Sequence, residues 1–304
     1  MNMKALRADP LGYLITRMAR KKLLGWAPDE MYLKLLFRGE MKRWPDLKNP
    51  RTYNEKLQWL KLHDRRPLYT QLVDKYAVRR YVAERIGGEY LIPLVGGPWD
   101  SFDEIDFDAL PEKFVLKCTH DSGGLVICRD KAELDLAAAR AKIGRCLKRN
   151  YYASSREWPY KDVKPRIIAE EYMQDGATAE LRDYKFFCFD GEAKALFIAS
   201  ERYKPGTETK FDFFDMEFKH LDVRNGHPNA DVLPEKPVQF DLMRHLAETL
   251  SAGLPHVRVD LYEVEGRVFF GELTFYHWSG MKPFEPEQWD DVFGSWITLP
   301  TGRH

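Results

Sequence analysis

The segment 257–275 constrains the fold more than any other part of the sequence, because it reads as two short strands joined by a tight turn. Hydrophobic and polar residues alternate in both halves, and Glu265-Gly266 separates them. This pattern is typical of an antiparallel hairpin with one apolar face. A two-residue turn at Glu265-Gly266 would place Asp260 and Glu272 on opposite faces, whereas a three-residue loop, 264–266, would place them on the same face.

The three-residue loop is the better prediction, since it separates the residue types cleanly. It pairs Arg258 with Glu272, gives Gly266 the bulge position and leaves one face almost wholly apolar. The other face then carries Arg258, Asp260, Glu272 and Thr274. Two carboxylates beside an arginine suit Mg²⁺, which takes one or two protein carboxylates together with phosphate oxygens. A solvated sheet face with an Arg–Glu pair explains the same pattern, and the hairpin alone leaves both interpretations open.

Other segments mix helical and extended patterns. Residues 1–65 have apolar positions at helical spacing, and further helices are predicted over Tyr69 to Ile86, from about 131 to 148, and over 239–252. Strands are predicted at 114–118, 125–128 and 166–169, and at 184–189 and 193–199 on either side of the turn Asp190-Gly191. Because hairpins dominate, the sequence favours an α+β protein over a doubly wound sheet.

Composition excludes several classes of function. The 304 residues include 47 Lys and Arg against 47 Asp and Glu, so no overall charge favours nucleic acid. No apolar run reaches the roughly 18 residues of a membrane span. Lys4, Arg7 and Asp9 interrupt the N-terminus, which argues against a signal peptide. Four cysteines without a C-x-x-C pair indicate free thiols in the cytoplasm and no zinc.

A basic stretch near the N-terminus lies beside apolar residues at helical spacing. The basic residues are Arg17, Arg20, Lys21 and Lys22, and the apolar ones are Leu11, Leu14, Ile15 and Met18. Peripheral contact with an anionic membrane would use such a pattern, but a solvated helix face is the favoured interpretation.

Two further segments carry candidate binding residues. Lys117 ends a predicted strand and is followed by a loop with Ser122-Gly123-Gly124, in which backbone N–H groups and a lysine could approach phosphate oxygens. Glu170-Glu171-Tyr172-Met173 follows another strand, where a strand end can hydrogen-bond an adenine edge. Each of these alone is more typical of an ordinary hairpin turn or of a strand that runs into a polar loop. Neither a P-loop nor a dinucleotide fingerprint occurs.

The order of these features resembles the ATP-grasp superfamily, and more narrowly its teichuronopeptide-biosynthesis-like (TupA-like) branch. The resemblance covers roughly residues 30 to 290 and rests on the combination of motifs. The matching segments are Tyr53-Asn54-Glu55-Lys56-Leu57-Gln58-Trp59, Val73-Asp74-Lys75, Val115-Leu116-Lys117, Asp183-Tyr184-Lys185-Phe186, Arg258-Val259-Asp260-Leu261-Tyr262 and Phe270-Gly271-Glu272-Leu273-Thr274-Phe275-Tyr276.

The resemblance implies an ATP-grasp fold of the α+β class, in which two α+β lobes sandwich ATP. The expected division is a mostly helical N-terminal region at 1–100, a small lid lobe at 101–169 and a C-terminal lobe with the metal site at 170–304. Lys75 and Lys117 would contact phosphates, and Ser122, Gly123 and Gly124 would belong to the flexible loop that covers them. Glu170, Glu171, Tyr172 and Met173 would face the adenine.

The resemblance also assigns the metal ligands. Asp260 and Glu272 would bind magnesium, with Glu272 bridging two ions. Many members carry E-x-N where this chain has Glu272-Leu273-Thr274, and a threonine hydroxyl can ligate the metal or hold a metal-bound water.

Three charged residues are candidates for the chemistry. Arg258 shares the metal face and is the candidate for the acylphosphate oxygens. Asp183 and Lys185 share a strand face and would contact ribose and phosphate or substrate, although an exposed strand face explains the pair equally well.

The activity that the resemblance implies is ATP-dependent joining of a carboxylate to an amine through an acylphosphate, with an amino acid and a uronic acid of cell-surface polysaccharide as expected substrates. Trp158, Tyr160 and Trp278 could stack on sugars or pack in the core, and His277 and Ser279 could meet the acceptor or serve the loop. The alternatives are a sugar kinase with the same ATP site, a nucleotide-binding scaffold and a glycosyltransferase. The last would need a D-x-D pair, for which Asp106-Phe107-Asp108 has the spacing but reads as an acidic turn.

Overall fold

A computed structural model of the protein describes residues 8–174, 181–202 and 206–301, so Lys4 and Arg7 lie outside the described residues. The described residues form nine α-helices and nine β-strands. The helices are α1 Pro10–Arg20, α2 Asp29–Met41, α3 Tyr53–His63, α4 Pro67–Val73, α5 Val78–Arg85, α6 Leu136–Leu147, α7 Tyr152–Ser155, α8 Phe240–Ser251 and α9 Gln288–Trp296. Short 3-10 helices lie at Gly88–Tyr90, Phe102–Glu104, Trp158–Tyr160 and His277–Gly280.

The strands form two separate antiparallel sheets. The strands are β1 Leu94–Trp99, β2 Phe114–Cys118, β3 Leu125–Cys128, β4 Ile167–Glu171, β5 Asp183–Phe189, β6 Glu192–Ser200, β7 Lys210–Phe214, β8 Val257–Val264 and β9 Arg267–Thr274. The four-stranded sheet has the order β1-β4-β2-β3, and the five-stranded sheet has the order β7-β6-β5-β8-β9. This architecture confirms the α+β class, the helical N-terminal region and the hairpins predicted from the sequence.

Each sheet has a core of its own. In the five-stranded sheet, α8 packs Phe240 against Phe186 on one face. The other face holds Phe187, which packs against Tyr53 of α3 and Phe293 of α9. Because β5 is covered on both faces, all seven of its residues are buried. The four-stranded sheet packs on α6 around a smaller cluster.

The last hairpin reaches the predicted arrangement by a different route. The turn is the two-residue type, with both Glu265 and Gly266 at positive φ, so the predicted three-residue loop is wrong. A bulge at Gly271 then shifts the register by one residue, and Asp260 lies opposite Glu272. A side chain at Gly271 would meet the Asp260 carbonyl oxygen at 3.0 Å, which explains why glycine allows the close approach. Arg258, Asp260, Glu272 and Thr274 therefore do share a face, but Arg258 pairs with Thr274, so the predicted pairing of Arg258 with Glu272 is wrong.

The continuous helix predicted over Tyr69 to Ile86 is also wrong, because the chain breaks between α4 and α5. At the break, the Asp74 carboxylate accepts hydrogen bonds from the backbone N–H groups of Tyr76 (2.8 Å) and Ala77 (3.2 Å). Such local side-chain bonds compete with helical ones. The Lys75 N–H group donates instead to the carbonyl of Thr119 at 3.0 Å. The break thus ties Lys75 to the loop after β2.

Other boundaries differ in smaller ways. Helix α6 begins at Leu136, later than predicted, because Asp135 caps it by accepting from Ala138 N–H at 2.8 Å. Strands β1 and β7 were not predicted, and β1 contains Gly96-Gly97-Pro98, which reads as a turn. Asp106 accepts from the N–H groups of Asp108 and Ala109, so the Asp-Phe-Asp segment is an acidic turn, as predicted.

None of the helices in the described ranges has the length and apolar character needed to span a bilayer.

Candidate active site

The charged face of the β8–β9 hairpin holds a buried ionic network centred on Asp260. The Asp260 side chain is 1% exposed and accepts from Arg258 at both oxygens, Nε to Oδ1 at 2.7 Å and Nη2 to Oδ2 at 2.7 Å. Lys185 of the neighbouring strand β5 is hydrogen-bonded to the same carboxylate. The backbone register explains this contact, because β5 pairs with β8 so that Lys185 lies opposite Asp260. Two cations therefore neutralise one carboxylate.

Glu272 lies across the strand pair from Asp260 and is more accessible, with 38% of its side chain exposed. Its carboxylate is 3.6 Å from Lys75 Nζ and 3.6 Å from Arg258 Nη2. Burial works to raise the pKa of Glu272, but Lys75, Lys185, Arg258 and Lys117 outweigh it and lower the pKa to about 2. The carboxylate is thus ionised over the whole physiological range of pH.

Arg258 is held from behind by a relay of polar side chains. Its Nη1 donates to His277 Nδ1 at 2.6 Å, and its Nη2 donates to Thr274 Oγ1 at 3.0 Å. Because a guanidinium only donates, His277 Nδ1 is the acceptor, and His277 Nε2–H donates to Asn225 Oδ1 at 3.0 Å. Burial and the nearby cation Arg258 lower the pKa of His277 well below its usual value, so the ring is neutral. Both ring nitrogens of His277 are therefore occupied within the protein.

The segment after β9 has an unusual backbone. Trp278 and Ser279 both have positive φ, at 48° and 58°, which is rare for residues with a side chain. Lys61 of α3, which is fully buried, holds this turn by donating to the Ser279 carbonyl oxygen at 2.8 Å and to the Ser279 hydroxyl at 2.7 Å. The Ser279 hydroxyl is therefore bonded within the protein.

The four-stranded sheet contributes a second charged group that faces the first. Lys117 of β2 pairs with Glu170 of β4, and Arg79 of α5 lies 3.3 Å from the same carboxylate. The pairing of β2 with β4 places these residues on neighbouring strands. Together with Lys75, they line a pocket whose other wall is Phe270 and Gly271 of the β8–β9 hairpin. The pocket therefore lies between the two sheets.

Lys75 connects the two groups. Its Nζ lies 3.6 Å from Glu272 and donates at 2.9 Å to the carbonyl of Asp121, at the start of the glycine loop. Ser122 and Gly123 are exposed, and Gly123 has a φ of 95°. Gly124 is buried because Cys146 occupies the space where a side chain would lie. Two of the three predicted loop residues are therefore accessible at the surface near Lys75.

The predicted adenine connector, 170–173, consists of the last two residues of β4 and the two residues that follow it. Glu170 is buried between cations, whereas Glu171 is exposed and its backbone N–H donates to the Pro93 carbonyl at 2.9 Å. The Tyr172 hydroxyl accepts from Arg129 at 3.2 Å. Met173 packs against an apolar cluster formed by Ile92, Val264 and Phe269. The connector thus offers one apolar side chain, that of Met173.

Asp183 begins β5 and is 1% exposed. One of its oxygens, Oδ2, contacts Lys185 at 3.3 Å and is hydrogen-bonded to Arg202. The other, Oδ1, has no hydrogen-bond partner among the described residues. A buried oxygen without a partner is costly, so this atom is a place where a ligand hydroxyl would be stabilising.

Some members of this network were not predicted. Arg79 could have been noticed, because it lies four residues after Lys75, a spacing that would place both on one side of a helix. Asn225 gave no signal, since it lies in an irregular segment far from β9 in the sequence. Arg202 likewise follows the end of β6 without any pattern.

Solved structures of several ligases resemble the chain weakly. The D-alanine–D-alanine ligase from Helicobacter pylori has a TM-score of 0.44 and 12% identity, covering 81% of this chain and 69% of that one. The corresponding ligase from Bacillus anthracis, solved in complex with ATP, has a TM-score of 0.40 and 13% identity, covering 67% of this chain. This chain therefore spans about half, 54%, of the length of the Bacillus anthracis enzyme. The ATP-grasp ligase PsnB, in complex with Mg and ADP, has a TM-score of 0.37 and 11% identity, covering 90% of this chain and 66% of that one.

No curated protein sequence matches the chain. The family described as TupA-like ATPgrasp matches residues 55–298, which include both sheets and every charged residue of the pocket described above. This match confirms the resemblance seen in the motifs and the expected ATP-grasp fold. The chain belongs to the TupA-like ATP-grasp family.

Proposed function

We propose that this protein is an ATP-dependent ligase that joins a carboxylate to an amine through an acylphosphate. The observation that carries the proposal is a group of four cations around two carboxylates, three of them in direct contact with those carboxylates. The cations are Lys75, Lys117, Lys185 and Arg258, and the carboxylates are Asp260 and Glu272. Such an arrangement suits a triphosphate bound with a divalent ion.

ATP would lie in the cleft between the sheets. Lys75 and Lys117 approach from the four-stranded side and would hold the phosphates once their present partners, Glu272 and Glu170, are displaced. Ser122, Gly123 and Gly124 would cover the phosphates with backbone N–H groups. At the other end, the connector 170–173 would take the adenine, with Met173 as apolar surface. The unpartnered Oδ1 atom of Asp183 would accept from a ribose hydroxyl.

The protein would supply some of the magnesium ligands, and the bound nucleotide would supply the others. Among the described residues, no three His, Cys, Asp or Glu side chains form a group that could hold a metal ion alone. Asp260 and Glu272 supply two hard oxygen donors on one face, and phosphate oxygens would complete the shell. Thr274 lies on the same face, although its hydroxyl now accepts from Arg258. When bound, the metal would neutralise charge on the phosphate oxygens.

The reaction would then proceed in two steps. An oxygen of the substrate carboxylate attacks the γ-phosphorus, the bond to ADP breaks, and an acylphosphate forms. The amine nitrogen attacks the acyl carbon, phosphate leaves, and the nitrogen loses a proton. Arg258 and Lys185 are fixed by Asp260 before any ligand arrives, so they would stabilise the transferred phosphoryl oxygens without reorganisation.

The substrate class follows from the family resemblance. We propose an amino acid as one partner and a uronic acid, free or within a surface polysaccharide, as the other, with the reaction in the cytoplasm. Residues 101–169 would act as the lid lobe. Trp278 is 42% exposed at the strained turn after β9, where it could stack on a sugar, whereas Trp158 and Tyr160 are half-buried.

Trapping with hydroxylamine tests the proposal. Incubation with ATP, Mg²⁺ and hydroxylamine across amino acids, uronic acids and their nucleotide sugars should give a hydroxamate with the true carboxylate, because an acylphosphate reacts with hydroxylamine. Glu272→Gln should abolish the signal while the protein stays folded, since this side chain is partly exposed. Lys117→Ala and Asp260→Asn should also abolish it.

The matched control is Glu265→Gln in the exposed turn of the same hairpin, which should retain full activity. ATP turnover on a sugar without hydroxamate would indicate a phosphoester and hence the kinase alternative. A hydroxamate signal that survives Lys117→Ala and Asp260→Asn would place the site elsewhere and contradict the proposal.

A further inference from the structure

Helix α1 and the turn that follows it, residues 21–26, carry large apolar side chains that no other described element covers. Leu11, Leu14, Leu23 and Trp26 are 48%, 53%, 55% and 72% exposed. Single exposed apolar residues are common on protein surfaces, but four of this size within one short segment are not.

Basic residues occur in the same segment as these side chains. Arg17, Arg20, Lys21 and Lys22 are all exposed, and none of them lies within 4.0 Å of an acidic group among the described residues. Leu11 and Leu14 are three residues apart, which places them on one side of α1, and Lys21 is the residue at which the helix ends. We name the surface formed by these apolar and basic residues the N-terminal patch.

The N-terminal patch belongs to a firmly attached element. Asp9, which caps α1, accepts from Arg38 of α2 at 2.8 Å and 3.0 Å. Ile15 and Leu24 are buried against α2, and the Gly25 carbonyl accepts from the buried Arg156 at 3.1 Å. The inner side of α1 is therefore packed in the normal way, so the exposure of the outer side is not a consequence of a detached helix.

We infer that the N-terminal patch docks on the surface of a lipid bilayer that contains anionic lipids. Interfacial helices combine large apolar side chains, which enter the boundary between headgroups and acyl chains, with basic residues that attract anionic headgroups. The patch has both components and no acidic residue between Pro10 and Pro28. The chain as a whole has no net charge, so the attraction comes from this local excess of four cations. This inference is independent of the proposed ligase activity.

Vesicle binding tests the inference. The full chain should co-sediment with vesicles of equal parts phosphatidylglycerol and phosphatidylcholine at low ionic strength. It should bind pure phosphatidylcholine vesicles far less, and added salt should weaken binding. Arg20→Gln with Lys21→Gln should lower the partition coefficient by about tenfold or more, since each basic residue near the surface contributes about a kcal/mol and 1.4 kcal/mol is tenfold. Leu14→Ser with Trp26→Ser should lower it at least as much.

Matched controls come from exposed residues elsewhere. Leu136→Ser with Val238→Ser replaces side chains that are 47% and 86% exposed, and Lys142→Gln with Lys148→Gln removes two exposed cations. Both control variants should bind vesicles as the unmodified chain does. Brominated acyl chains should also quench part of the tryptophan fluorescence, and Trp26→Phe should remove that part while binding persists.

Four outcomes would overturn the inference. The first is no binding to anionic vesicles, and the second is equal binding to neutral ones. The third is loss of binding only in the charge variant, which indicates electrostatic adsorption without insertion of the apolar side chains. The fourth is a change of oligomeric state of the apolar variant without lipid, which indicates a second copy of the chain. Hydroxamate formation from free substrates should be unchanged in all patch variants, so failure here is distinguishable from failure of the proposed function.

Discussion

At the scale of residues, charged side chains of the site are buried, and each is paired with a side chain of opposite charge. Arg258, Lys185 and Asp260 are all less than a tenth exposed, and each finds a partner of opposite sign. Burial works to lower the pKa of Arg258, but the Asp260 carboxylate raises it. Removing one member of such a group leaves an uncompensated buried charge, which typically costs about 3–5 kcal/mol. The network is therefore rigid before a ligand binds.

Two buried histidines, His277 and His256, have opposite tautomers. His277 accepts at Nδ1 from Arg258, whereas His256 must donate from Nδ1, because its partner at 2.9 Å is the Cys188 carbonyl. The Tyr53 hydroxyl then donates to His256 Nε2 at 2.9 Å. Burial lowers the pKa of His256 to about 3. Both rings must stay neutral for these bonds to form.

Stability should therefore fall as the pH drops below the ordinary histidine pKa of about 6.5. The folded pKa values are lowered, so the unfolded chain binds protons first, and stability that is present above about 6.5 is lost below it. Each of the two histidines should cost about 1.4 kcal/mol of unfolding free energy per pH unit in that window. Urea unfolding at successive pH values between neutral and acid measures the slope.

A matched pair of variants separates the contribution of the buried histidines to this slope from that of the other titratable groups. His256→Gln should reduce the slope by the contribution of one histidine, about 1.4 kcal/mol per pH unit. His245→Gln, at an exposed position of α8, should leave the slope unchanged. Equal slopes in the unmodified chain and in His256→Gln would contradict the assignment of a neutral buried ring.

At the scale of elements, the β8–β9 hairpin depends on two glycines with different tasks. Gly266 has a φ of 74° and completes the turn at the far end. Gly271 forms the bulge that brings Glu272 opposite Asp260, and a Cβ there would approach Tyr262 Cε2 at 2.9 Å. Gly266 therefore allows the backbone conformation of the turn, and Gly271 positions the Glu272 carboxylate.

Alanine substitutions should separate these tasks. Gly271→Ala should lower kcat on the order of 10- to 100-fold, because a small displacement of Glu272 disturbs the reacting geometry. Gly266→Ala should lower the free energy of unfolding by about 1 kcal/mol, because alanine is strained in the left-handed conformation that Gly266 adopts. It should change kcat little at temperatures below the unfolding transition. Steady-state kinetics beside thermal unfolding measures both. Equal kcat in the two variants would show that the bulge does not position the site.

At the scale of the whole molecule, the site belongs to neither sheet alone. Lys117 and Glu170 stand on the four-stranded sheet, Asp260 and Glu272 stand on the five-stranded sheet, and Lys75 at the helix break contacts both sides. A ligand in the cleft would therefore bridge two cores that otherwise pack separately.

Magnesium with a non-hydrolysable ATP analogue should therefore stabilise the whole chain in one transition. At a concentration about a hundred times Kd, one bound ligand adds about 2.7 kcal/mol. Lys117→Met should remove most of the rise in Tm, whereas Lys113→Met, an exposed lysine just before the same strand, should not. A full rise in Tm in Lys117→Met would show that the nucleotide does not bind across the two sheets.

The sequence by itself determined the α+β class, the helical N-terminal region and most strands, because alternation and turn residues act over a few neighbours. Asp190-Gly191 and the hairpin 257–274 are examples. Only the tertiary structure decided the bulge at Gly271, the break at Asp74 and the relay from Arg258 through His277 to Asn225. These features depend on contacts between segments far apart in the chain, which local pattern does not record.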